Sequence, residues 1–293
     1  MNPGAEANFG VYHEPGKAMG IHLVAIDLDG TLLNSSKEIT ETTAAILRDA
    51  RRMRDVHIVL ASARPPRTVM PFYNLLDLDT PMINYNGALV YDPPSRRVLV
   101  HRPIPMRTAR RIVALAQEVY PQVIVSAEVM DRWFTNKISE EYLTATALTY
   151  RPDVIGPVQQ WLTEPVTKLL LLGSAGKLVK VAKAVQKELL HQVTIVQTEG
   201  YLLQIMYPTV SKAQGLRVVA GELGVNREEV MAIGDNANDV SMLRWAGIGV
   251  AMANAAPSAL AAADYVTDHH DADGAAKAIR RIILQGLPPR DRM

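Results

Sequence analysis

The chain has 293 residues, of which 48% are hydrophobic and 21% charged, and its formal net charge at pH 7 is +1. This length allows one or two domains with a large core. The near-neutral charge gives no global field that would favour nucleic acid or an anionic membrane as a partner. Cysteine is absent, which excludes disulfides, thiolate metal sites and a cysteine nucleophile.

The beginning of the chain does not have the pattern of a targeting segment. Residues 1–20 lack the continuous apolar run of a secretory signal, and no apolar stretch of the chain reaches the ~18 residues that span a bilayer. We therefore expect a cytoplasmic protein with a flexible N-terminal extension over residues 1–20. Met19, just before the first predicted strand, is an alternative start of translation.

The first third of the chain predicts strands alternating with a helix. The apolar run Leu23–Ile26 predicts a buried strand, helical spacing over residues 39–53 predicts a helix that Thr40 caps, and residues 56–61 predict a second buried strand. A short third strand precedes the turn-prone pair Asn86-Gly87. Strand, helix and strand in this order indicate a βαβ unit in a parallel sheet.

The middle of the chain has a different pattern. Hairpins are expected over residues 88–102 and 193–207, each with a turn signal between two β-rich runs. Between them, helices and strands are expected at residues 106–120, 122–129, 166–173 and 175–190. Two hairpins that flank such segments indicate an α+β module inserted between the halves of a parallel-sheet domain.

The strand-helix alternation resumes at Ser211, which we expect to cap a helix over residues 212–224. The His- and Asp-rich residues 267–274 are interpreted as a solvated loop. The remaining predicted elements are a strand at 230–235, a helix at 238–247, a strand at 248–253 and a helix at 273–285.

These elements together predict an α/β fold. Its Rossmann-like parallel-sheet core is expected to be discontinuous, formed by residues 21–87 and 208–287, with an inserted α+β cap domain over residues 88–207. Residues 288–293 are expected to be a frayed tail.

Two carboxylates, Asp27 and Asp29, directly follow the first predicted strand. Side chains at positions i and i+2 of an extended segment share a side, so both can face one pocket. One carboxylate can attack as a nucleophile and form an aspartyl-phosphate. The other can give a proton to the leaving oxygen and later take one from water. A plain turn is the alternative, since Asp and Gly are common turn residues.

A second acidic segment, with Asp235 and Asp239, follows another predicted strand. Parallel strands end at a common edge, where α/β proteins bind ligands, so we expect Asp27, Asp29 and Asp235 to converge there. Oxygen ligands without His or Cys favour a hard cation, with Mg²⁺ as the first choice beside a phosphate. Such a cation would reduce the repulsion between a carboxylate nucleophile and an anionic substrate. Capping of the next helix is the alternative role for Asp239.

Ser62 and Lys212 can complete a phosphoryl-transfer site at this edge. Ser62 ends the second predicted strand and Lys212 opens a helix, so a hydroxyl and an ammonium can hold phosphoryl oxygens. Phosphoryl transfer depends mainly on positioning and charge stabilisation. Taken alone, Ser62 is an ordinary turn residue and Lys212 an ordinary solvated lysine.

Two other site types fit the sequence less well. Asp27, Asp29 and Glu38 stand at positions 1, 3 and 12 of a calcium loop, but Leu32 stands where the sharp turn needs glycine, and the preceding element is a strand. The segment GSAGKL at 173–178 has two residues between its glycines where a P-loop has four.

Four segments resemble, in this order, the four motifs of the haloacid dehalogenase superfamily. They are DLDGT (27–31), LASAR (60–64), SKAQGL (211–216) and GDNANDV (234–240). Their order, and the long insert after NYNGA (84–88), are similar to the Cof-like branch with its large α+β cap. The resemblance extends from about Ile21 to about Gln285, and DLDGT together with GDNANDV is highly specific.

The resemblance implies a role for each matching residue. Asp27 matches the family nucleophile and Asp29 the acid/base, while Ser62 matches the phosphate-binding hydroxyl and Lys212 the family lysine. Asp27, the backbone carbonyl of Asp29 and the side chain of Asp235 match the Mg²⁺ ligands.

Further matching residues support the site or lie near the substrate. Asn238 and Asp239 match a supporting polar pair, and Asn86 and Gly87 correspond to a loop near the substrate.

Two positions depart from the family pattern. The family often has Thr-Gly where this chain has Ser62-Ala63, and Lys-Gly where it has Lys212-Ala213. Serine retains the hydroxyl, whereas alanine accepts fewer backbone conformations than glycine, so the departures concern loop geometry rather than chemistry.

The sequence thus predicts a Mg²⁺-dependent phosphatase that acts on a small phosphorylated metabolite through an aspartyl-phosphate on Asp27. The resemblance implies sugar phosphates or cofactors such as pyridoxal phosphate as substrates. Arg64, Arg132 and Trp133 are candidate contacts, and an ordinary surface or core position is the alternative for each. A phosphomutase with the same site and a non-catalytic sensor of phosphometabolites are the alternatives. The sequence does not specify the oligomeric state.

Overall fold

The computed structural model describes residues 20–288. The possible start at Met19, most of the predicted N-terminal extension and nearly all of the predicted tail lie outside the described residues. The first elements are β1 (Leu23–Ile26), α1 (Glu41–Arg54), β2 (His57–Leu60), α2 (Pro66–Leu75), β3 (Met82–Asn84), a 3₁₀-helix (Tyr85–Gly87), β4 (Leu89–Asp92) and β5 (Arg97–His101).

The middle and last parts of the chain contain further strands and helices, some of them only two to six residues long. The middle elements are α3 (Met106–Val119), β6 (Ile124–Val129), β7 (Arg132–Thr135), α4 (Ala145–Thr149), β8 (Val154–Ile155), α5 (Val158–Trp161), β9 (Lys168–Leu172), α6 (Ala175–Leu189), β10 (Thr194–Glu199) and β11 (Leu202–Met206). The last elements are α7 (Lys212–Leu223), a 3₁₀-helix (Arg227–Glu229), β12 (Val230–Gly234), α8 (Val240–Trp245), β13 (Ile248–Ala251), α9 (Pro257–Ala262), β14 (Tyr265–Val266), a 3₁₀-helix (His270–Ala272), α10 (Gly274–Ile279) and a π-helical turn (Arg280–Leu284).

A parallel sheet with the strand order β14-β13-β12-β1-β2 forms the first layer. β1 pairs in register with β12 on one side and β2 on the other, and its four residues are all buried. Burial on both faces explains why β1 is a continuous apolar run rather than an alternating one. Since these strands end at one edge, Asp27, Ser62 and Asp235 all follow at that edge.

A second sheet, with the order β10-β11-β9-β6-β7-β8, is formed entirely from the middle of the chain. Its neighbours are antiparallel except for β7 and β8. Val125 and Ala127 of β6 pack in one cluster with residues of α3 and α6. Because side chains alternate along a strand, Glu128 projects to the other face of this sheet. The predicted fold class, a parallel-sheet core with an inserted α+β cap, is confirmed.

The hairpin formed by β4 and β5 packs with the parallel sheet. β4 pairs antiparallel with β3, and Val90 is buried in the same hydrophobic cluster as β1. Both predicted hairpins are present, since β10 also pairs antiparallel with β11. These contacts connect the β4–β5 hairpin to the first layer, while His101 at its end also contacts the Thr167 hydroxyl, directly before β9, at 2.8 Å.

The predicted helix caps are confirmed at two positions. The backbone N–H of Thr43 donates to Thr40 Oγ1 at the start of α1 (3.1 Å), and that of Gln214 donates to Ser211 Oγ at the start of α7 (3.3 Å). α7 ends at Gly224, whose φ of 68° is the left-handed conformation common at helix ends.

Several helices differ from the prediction: α2, α4, α5 and α9 were not predicted, and α8 and α10 are shorter than predicted. α2 begins at Pro66, between the second and third predicted strands, where no helix was predicted. Proline is well tolerated at a first helical position because the N–H that it lacks has no partner there. α8 begins at Val240 instead of 238, because the preceding residues form a turn around the side chain of Asp239. Among residues 20–288, none of the helices has the length and apolar character needed to cross a bilayer.

Candidate active site

Lys212 is fully buried and lies between two carboxylates. Its Nζ donates to Oδ1 of Asp27 at 2.5 Å and to Oδ1 of Asp239 at 2.6 Å. Lys212 is the first residue of α7, so the cap formed by Ser211 fixes the point at which this side chain enters the site. The sequence predicted that this ammonium would hold phosphoryl oxygens, whereas its hydrogen-bond partners in the structure are these two carboxylates.

Asp239 stabilises the turn that carries Asp235. Its Oδ2 accepts the backbone N–H of Asp235 at 3.0 Å and of Asn236 at 2.9 Å. The side chain makes no capping hydrogen bond to α8, so the alternative role of Asp239 as a cap is wrong. Both of its oxygens are used, one by Lys212 and one by the turn.

The charges in this cluster are unevenly balanced. Burial raises the pKa of Asp27 to about 8, although the charge of Lys212 opposes this effect. Burial also raises the pKa of Asp235, and the nearby charge of Asp239 adds to it. For Lys212, burial alone would lower the pKa, but the charges of Asp239 and Asp27 outweigh it and the pKa lies above its usual value. Three carboxylates around one ammonium leave an excess of negative charge.

This excess suits a divalent cation. One carboxylate oxygen from each of Asp27, Asp235 and Asp239 lies within 4.8 Å of the others, and a set of oxygen donors without His or Cys fits Mg²⁺. Oδ1 of Asp235 accepts the hydroxyl of Thr31 at 3.1 Å. Gly30 has a φ of +81°, and a Cβ there would stand 2.4 Å from Oδ2 of Asp235, so glycine leaves the room that this carboxylate occupies.

Asp29 is held by two cations. Arg64 donates from Nε to Oδ2 at 2.7 Å and from Nη2 to Oδ1 at 2.6 Å, and Lys37 Nζ lies 2.8 Å from Oδ1. Burial would raise the pKa of Asp29, but the hydrogen bonds from Arg64 and Lys37 outweigh it and the pKa is lowered. Arg64, predicted as a substrate contact, therefore pairs with the predicted acid/base. Lys37 was missed, and its position in an irregular loop gave no signal.

Ser62 is buried just after β2, where β3 and the segment that follows it contact its backbone. Its N–H donates to the carbonyl of Ile83 at 2.8 Å, and its Oγ accepts the N–H of Arg64 at 3.1 Å. The side-chain amide of Asn84 donates to the carbonyl of Arg64 at 3.2 Å. The Ser62 hydroxyl has no hydrogen-bond acceptor among the described residues, so its hydrogen is available for a ligand.

Asn86 and Gly87 lie where the other segments meet. Oδ1 of Asn86 accepts the side-chain amide of Asn238 at 3.0 Å, and the N–H of Asn86 donates to the carbonyl of Ser62 at 3.0 Å. Gly87 has a φ of +95°, and a Cβ there would meet the carbonyl oxygen of Ser211 at 2.3 Å. Ser62, Asn86 and Asn238 are thus linked at one edge of the sheet. Among the described residues the close group of carboxylates contains Asp27, Asp235 and Asp239, so Asp29, which was predicted to converge with Asp27 and Asp235, lies outside that group.

Arg132 and Trp133, the two substrate contacts predicted in the cap, interact with other residues of the second sheet. Arg132 is exposed and lies 4.8 Å from the ring centroid of Phe134. Trp133 is buried, and its Nε1 donates to Ser126 Oγ at 2.5 Å. Their role as substrate contacts stays a prediction.

Asn254 is a site residue that the sequence reasoning missed. Its side-chain amide donates to the carbonyl of Gly30 at 2.8 Å, and its Oδ1 accepts the N–H of His270 at 3.1 Å. The signal was present, because Asn254 directly follows the predicted strand at 248–253, and the ends of parallel strands share an edge.

A parallel-sheet core with carboxylates at its edge and an inserted second sheet is the architecture of one hydrolase class. The chain belongs to the family of haloacid dehalogenase-like hydrolases, whose model matches residues 24–279. This confirms the family inferred from the four motifs.

Individual relatives match over nearly the whole chain. The YxeH protein of Bacillus subtilis is 32% identical over 89% of this chain and 98% of its own. The 5-amino-6-(5-phospho-D-ribitylamino)uracil phosphatase YitU of the same organism is 29% identical over 88% of this chain and 96% of its own. The crystal structure of a haloacid dehalogenase-like hydrolase from Bacteroides thetaiotaomicron is similar with a TM-score of 0.81 at 32% identity, covering 89% of this chain and 99% of that one.

Proposed function

We propose that the protein is a Mg²⁺-dependent phosphatase that hydrolyses a small phosphorylated metabolite through an aspartyl-phosphate on Asp27. The observation that carries the proposal is the cluster at the sheet edge, in which the Asp27 carboxylate is held by Lys212 and lies beside Asp235. The family membership and the phosphatase activity named for YitU support it.

The chain's own side chains supply the steps of this reaction. A carboxylate oxygen of Asp27 forms a bond to phosphorus, and the bond to the leaving oxygen breaks as that oxygen takes a proton from Asp29. Asp29 then takes a proton from a water molecule, whose oxygen attacks phosphorus and releases Asp27 and inorganic phosphate. Ser62 donates its free hydroxyl hydrogen to a phosphoryl oxygen, and Lys212 keeps Asp27 oriented.

Mg²⁺ would be held by Asp27, Asp235 and the backbone carbonyl of Asp29. When bound, it would supply positive charge that reduces the repulsion between the carboxylate and the anionic phosphoryl group. The raised pKa values of Asp27 and Asp235 support a cation at this place, since added positive charge favours the ionised carboxylates.

Asp29 must leave its present partners before it can carry a proton. Arg64 and Lys37 stabilise its ionised form, which is unsuitable for a proton donor. The phosphoryl group of a substrate brings negative charge that competes for the guanidinium. We therefore assign Arg64 to the substrate's phosphoryl oxygens in the working complex, as the sequence suggested.

The second sheet would select the leaving group. The predicted cap covers residues 88–207, but the pairing of β4 with β3 attaches residues 89–101 to the first layer. We therefore propose that the cap begins after His101. The substrate named for YitU is a phosphorylated sugar-alcohol derivative, which supports a small phosphorylated metabolite as substrate here. A cytoplasmic location goes with this proposal, because such metabolites are intracellular compounds.

The test is hydrolysis of p-nitrophenyl phosphate by the purified full chain with Mg²⁺, compared with Asp27→Asn. We expect the variant to lose turnover about a thousandfold or more, while Asp49→Asn on the exposed face of α1 retains it. Equal turnover by wild type and Asp27→Asn would remove Asp27 from the mechanism. Transfer to a second sugar without release of free phosphate would indicate a mutase, and binding of phosphometabolites without turnover a sensor.

A further inference from the structure

Three consecutive residues in the site have a left-handed backbone. Tyr85, Asn86 and Gly87 have φ values of 49°, 58° and 95°. Glycine adopts this conformation freely, whereas a bulky residue such as tyrosine does so at a cost of order 1 kcal/mol or more. Such a segment persists only where the contacts around it hold it in place.

On the inner side, the 85–87 segment touches the other parts of the candidate active site. The N–H of Tyr85 donates to the carbonyl of Arg64 at 3.3 Å, and the neighbouring N–H of Asn86 donates to the carbonyl of Ser62. The Asn86 side chain also accepts a hydrogen bond from Asn238, and Gly87 packs against the backbone of Ser211, the residue before Lys212. A shift of this segment would therefore move the loop that carries the Ser62 hydroxyl.

On the outer side, the same segment is anchored to the second sheet. The Tyr85 ring is almost fully buried, and its hydroxyl lies 2.5 Å from the carbonyl oxygen of Met130 and 3.1 Å from Oε2 of Glu128. Glu128 is also buried, and Arg67 at the start of α2 donates to both of its oxygens at 2.7 and 2.8 Å. Arg67 Nη1 donates further to the carbonyl of Asp131 at 2.7 Å.

This contact joins two separately packed layers through groups that are costly to bury. A buried ion pair adds little net stability over apolar packing, but it penalises strongly every arrangement that separates its members. Glu128 lies on the sheet face away from α3 and α6, and its hydrogen-bond partners Arg67 and Tyr85 come from the first layer. Lys168, opposite Glu128 on the neighbouring strand β9, adds a positive charge from within the second sheet. The hydrogen bonds of Arg67 and Tyr85 to Glu128 and to the backbone carbonyls of residues 130 and 131 form only when residues 128–131 are docked on the first layer.

We propose that Tyr85 is a positioning residue that transmits docking of residues 128–131 to the phosphoryl pocket. Docking on Arg67 and Tyr85 holds the 85–87 segment left-handed, and that segment holds the loop of Ser62 and Arg64. The pocket then has its working geometry only when the second sheet is docked. The reference to a phosphoryl pocket rests on the proposed function, whereas the mechanical coupling does not.

Amide hydrogen exchange tests the coupling without substrate. In Tyr85→Phe, which keeps the ring but removes the hydroxyl, we expect the amides of residues 85 and 86 to exchange about tenfold faster, because one buried hydrogen bond is lost. Glu128→Gln should also speed exchange at residues 85 and 86, since it places an amide donor against the Arg67 guanidinium. Exchange at the wild-type rate in both variants would overturn the inference.

The matched control is Glu188→Gln. Glu188 receives the same kind of double hydrogen bond, from Arg111 Nε at 2.5 Å and Nη2 at 2.6 Å, but between α6 and α3 on the surface. It should leave exchange at residues 85 and 86 unchanged. An equal acceleration in this control would also overturn the inference, since the effect would then be a general loosening.

Hydrolysis of p-nitrophenyl phosphate separates this inference from the proposed function. We expect Tyr85→Phe to lower kcat about tenfold with a smaller change in KM, and the double variant Tyr85→Phe, Glu128→Gln to show no further loss, because both act through one contact. Full additivity of the two losses would contradict a shared path. Absence of hydrolysis by the wild type would refute the proposed function, and the exchange rates would still decide the coupling.

Discussion

The Lys212 ammonium nitrogen lies 2.5 Å from Oδ1 of Asp27, although 185 positions separate the two residues along the chain. Asp27 follows β1, while Lys212 begins the helix that leads back to the parallel sheet after the inserted second sheet. The contact therefore forms only when both halves of the discontinuous core have assembled. It links the folding of the core to the charge state of the candidate nucleophile.

The first prediction concerns the stability of this buried cluster. Lys212→Met leaves Asp27 and Asp239 buried without their shared countercharge, so the free energy of unfolding should fall by about 3 kcal/mol or more. Lys277→Met removes a lysine whose side chain is 50% exposed and pairs with Asp268, and it should cost less than about 1 kcal/mol. Denaturant unfolding of both variants measures the difference. Similar losses would mean that the buried cluster is not specially dependent on its lysine.

The strands and the placement of the acidic residues were predictable, because parallel strands of one sheet end at the same edge. The parallel order of β1, β2 and β12 follows from the alternation of apolar runs and helices, and it brings Asp27, Ser62 and Asp235 to one edge without knowledge of any side-chain contact. The pairing of Arg64 and Lys37 with Asp29 was not predictable, because long flexible side chains choose partners in space rather than along the chain.

Backbone conformation was the other limit of the sequence. The pair Asn86-Gly87 predicted a turn, and both residues do have positive φ. The left-handed conformation of Tyr85 had no signal in the sequence, since tyrosine does not favour it and its hydroxyl contacts Glu128 and Met130 in a distant segment. Tertiary contacts override local preference here.

The second prediction concerns Gly87. Gly87→Ala places a Cβ 2.3 Å from the Ser211 carbonyl oxygen at a φ of +95°, so the loop or the start of α7 must shift. We expect a stability loss of about 1 to 3 kcal/mol together with a lower kcat. Gly221→Ala in the same helix has open space around its Cβ and should be neutral or stabilising by up to about 1 kcal/mol. Thermal unfolding and kinetics of both variants provide the comparison, and an undisturbed Gly87→Ala would refute the close packing.

The third prediction concerns the metal. Mg²⁺ should raise the unfolding temperature of the wild type, because a ligand that binds only the folded state stabilises it, and EDTA should reverse this shift and stop hydrolysis. Asp235→Asn should shrink the shift, while its stability without Mg²⁺ should not fall, since the variant removes a carboxylate whose pKa burial has raised.

The matched control for the metal is Asp271→Asn. Asp271 belongs to a second group of possible ligands with His269 and His270, and an asparagine there can still accept the N–H of Ser35. The Mg²⁺ shift should be unchanged in this variant. Loss of the shift in Asp271→Asn, with retention in Asp235→Asn, would move the cation to the histidine-containing group.

The last prediction concerns the pH dependence of stability. Burial raises the pKa of Glu128 from 4.5 to about 7, against the opposing charges of Arg67 and Lys168 and the hydrogen bond from Tyr85. A raised pKa in the folded state means that this group's contribution is fully present below about pH 4.5 and is lost as the pH rises through 7. Since each pKa unit corresponds to about 1.4 kcal/mol, the total loss should be about 3 kcal/mol.

Glu128→Gln does not titrate, so its denaturation midpoint should fall less than that of the wild type between pH 5 and pH 8. Glu188→Gln should follow the wild type throughout, because hydrogen bonds from Arg111 lower the pKa of Glu188 and it is already ionised at pH 5. Parallel pH profiles for the wild type and Glu128→Gln would show that the carboxyl is ionised over the whole range and that Arg67 compensates fully for its burial.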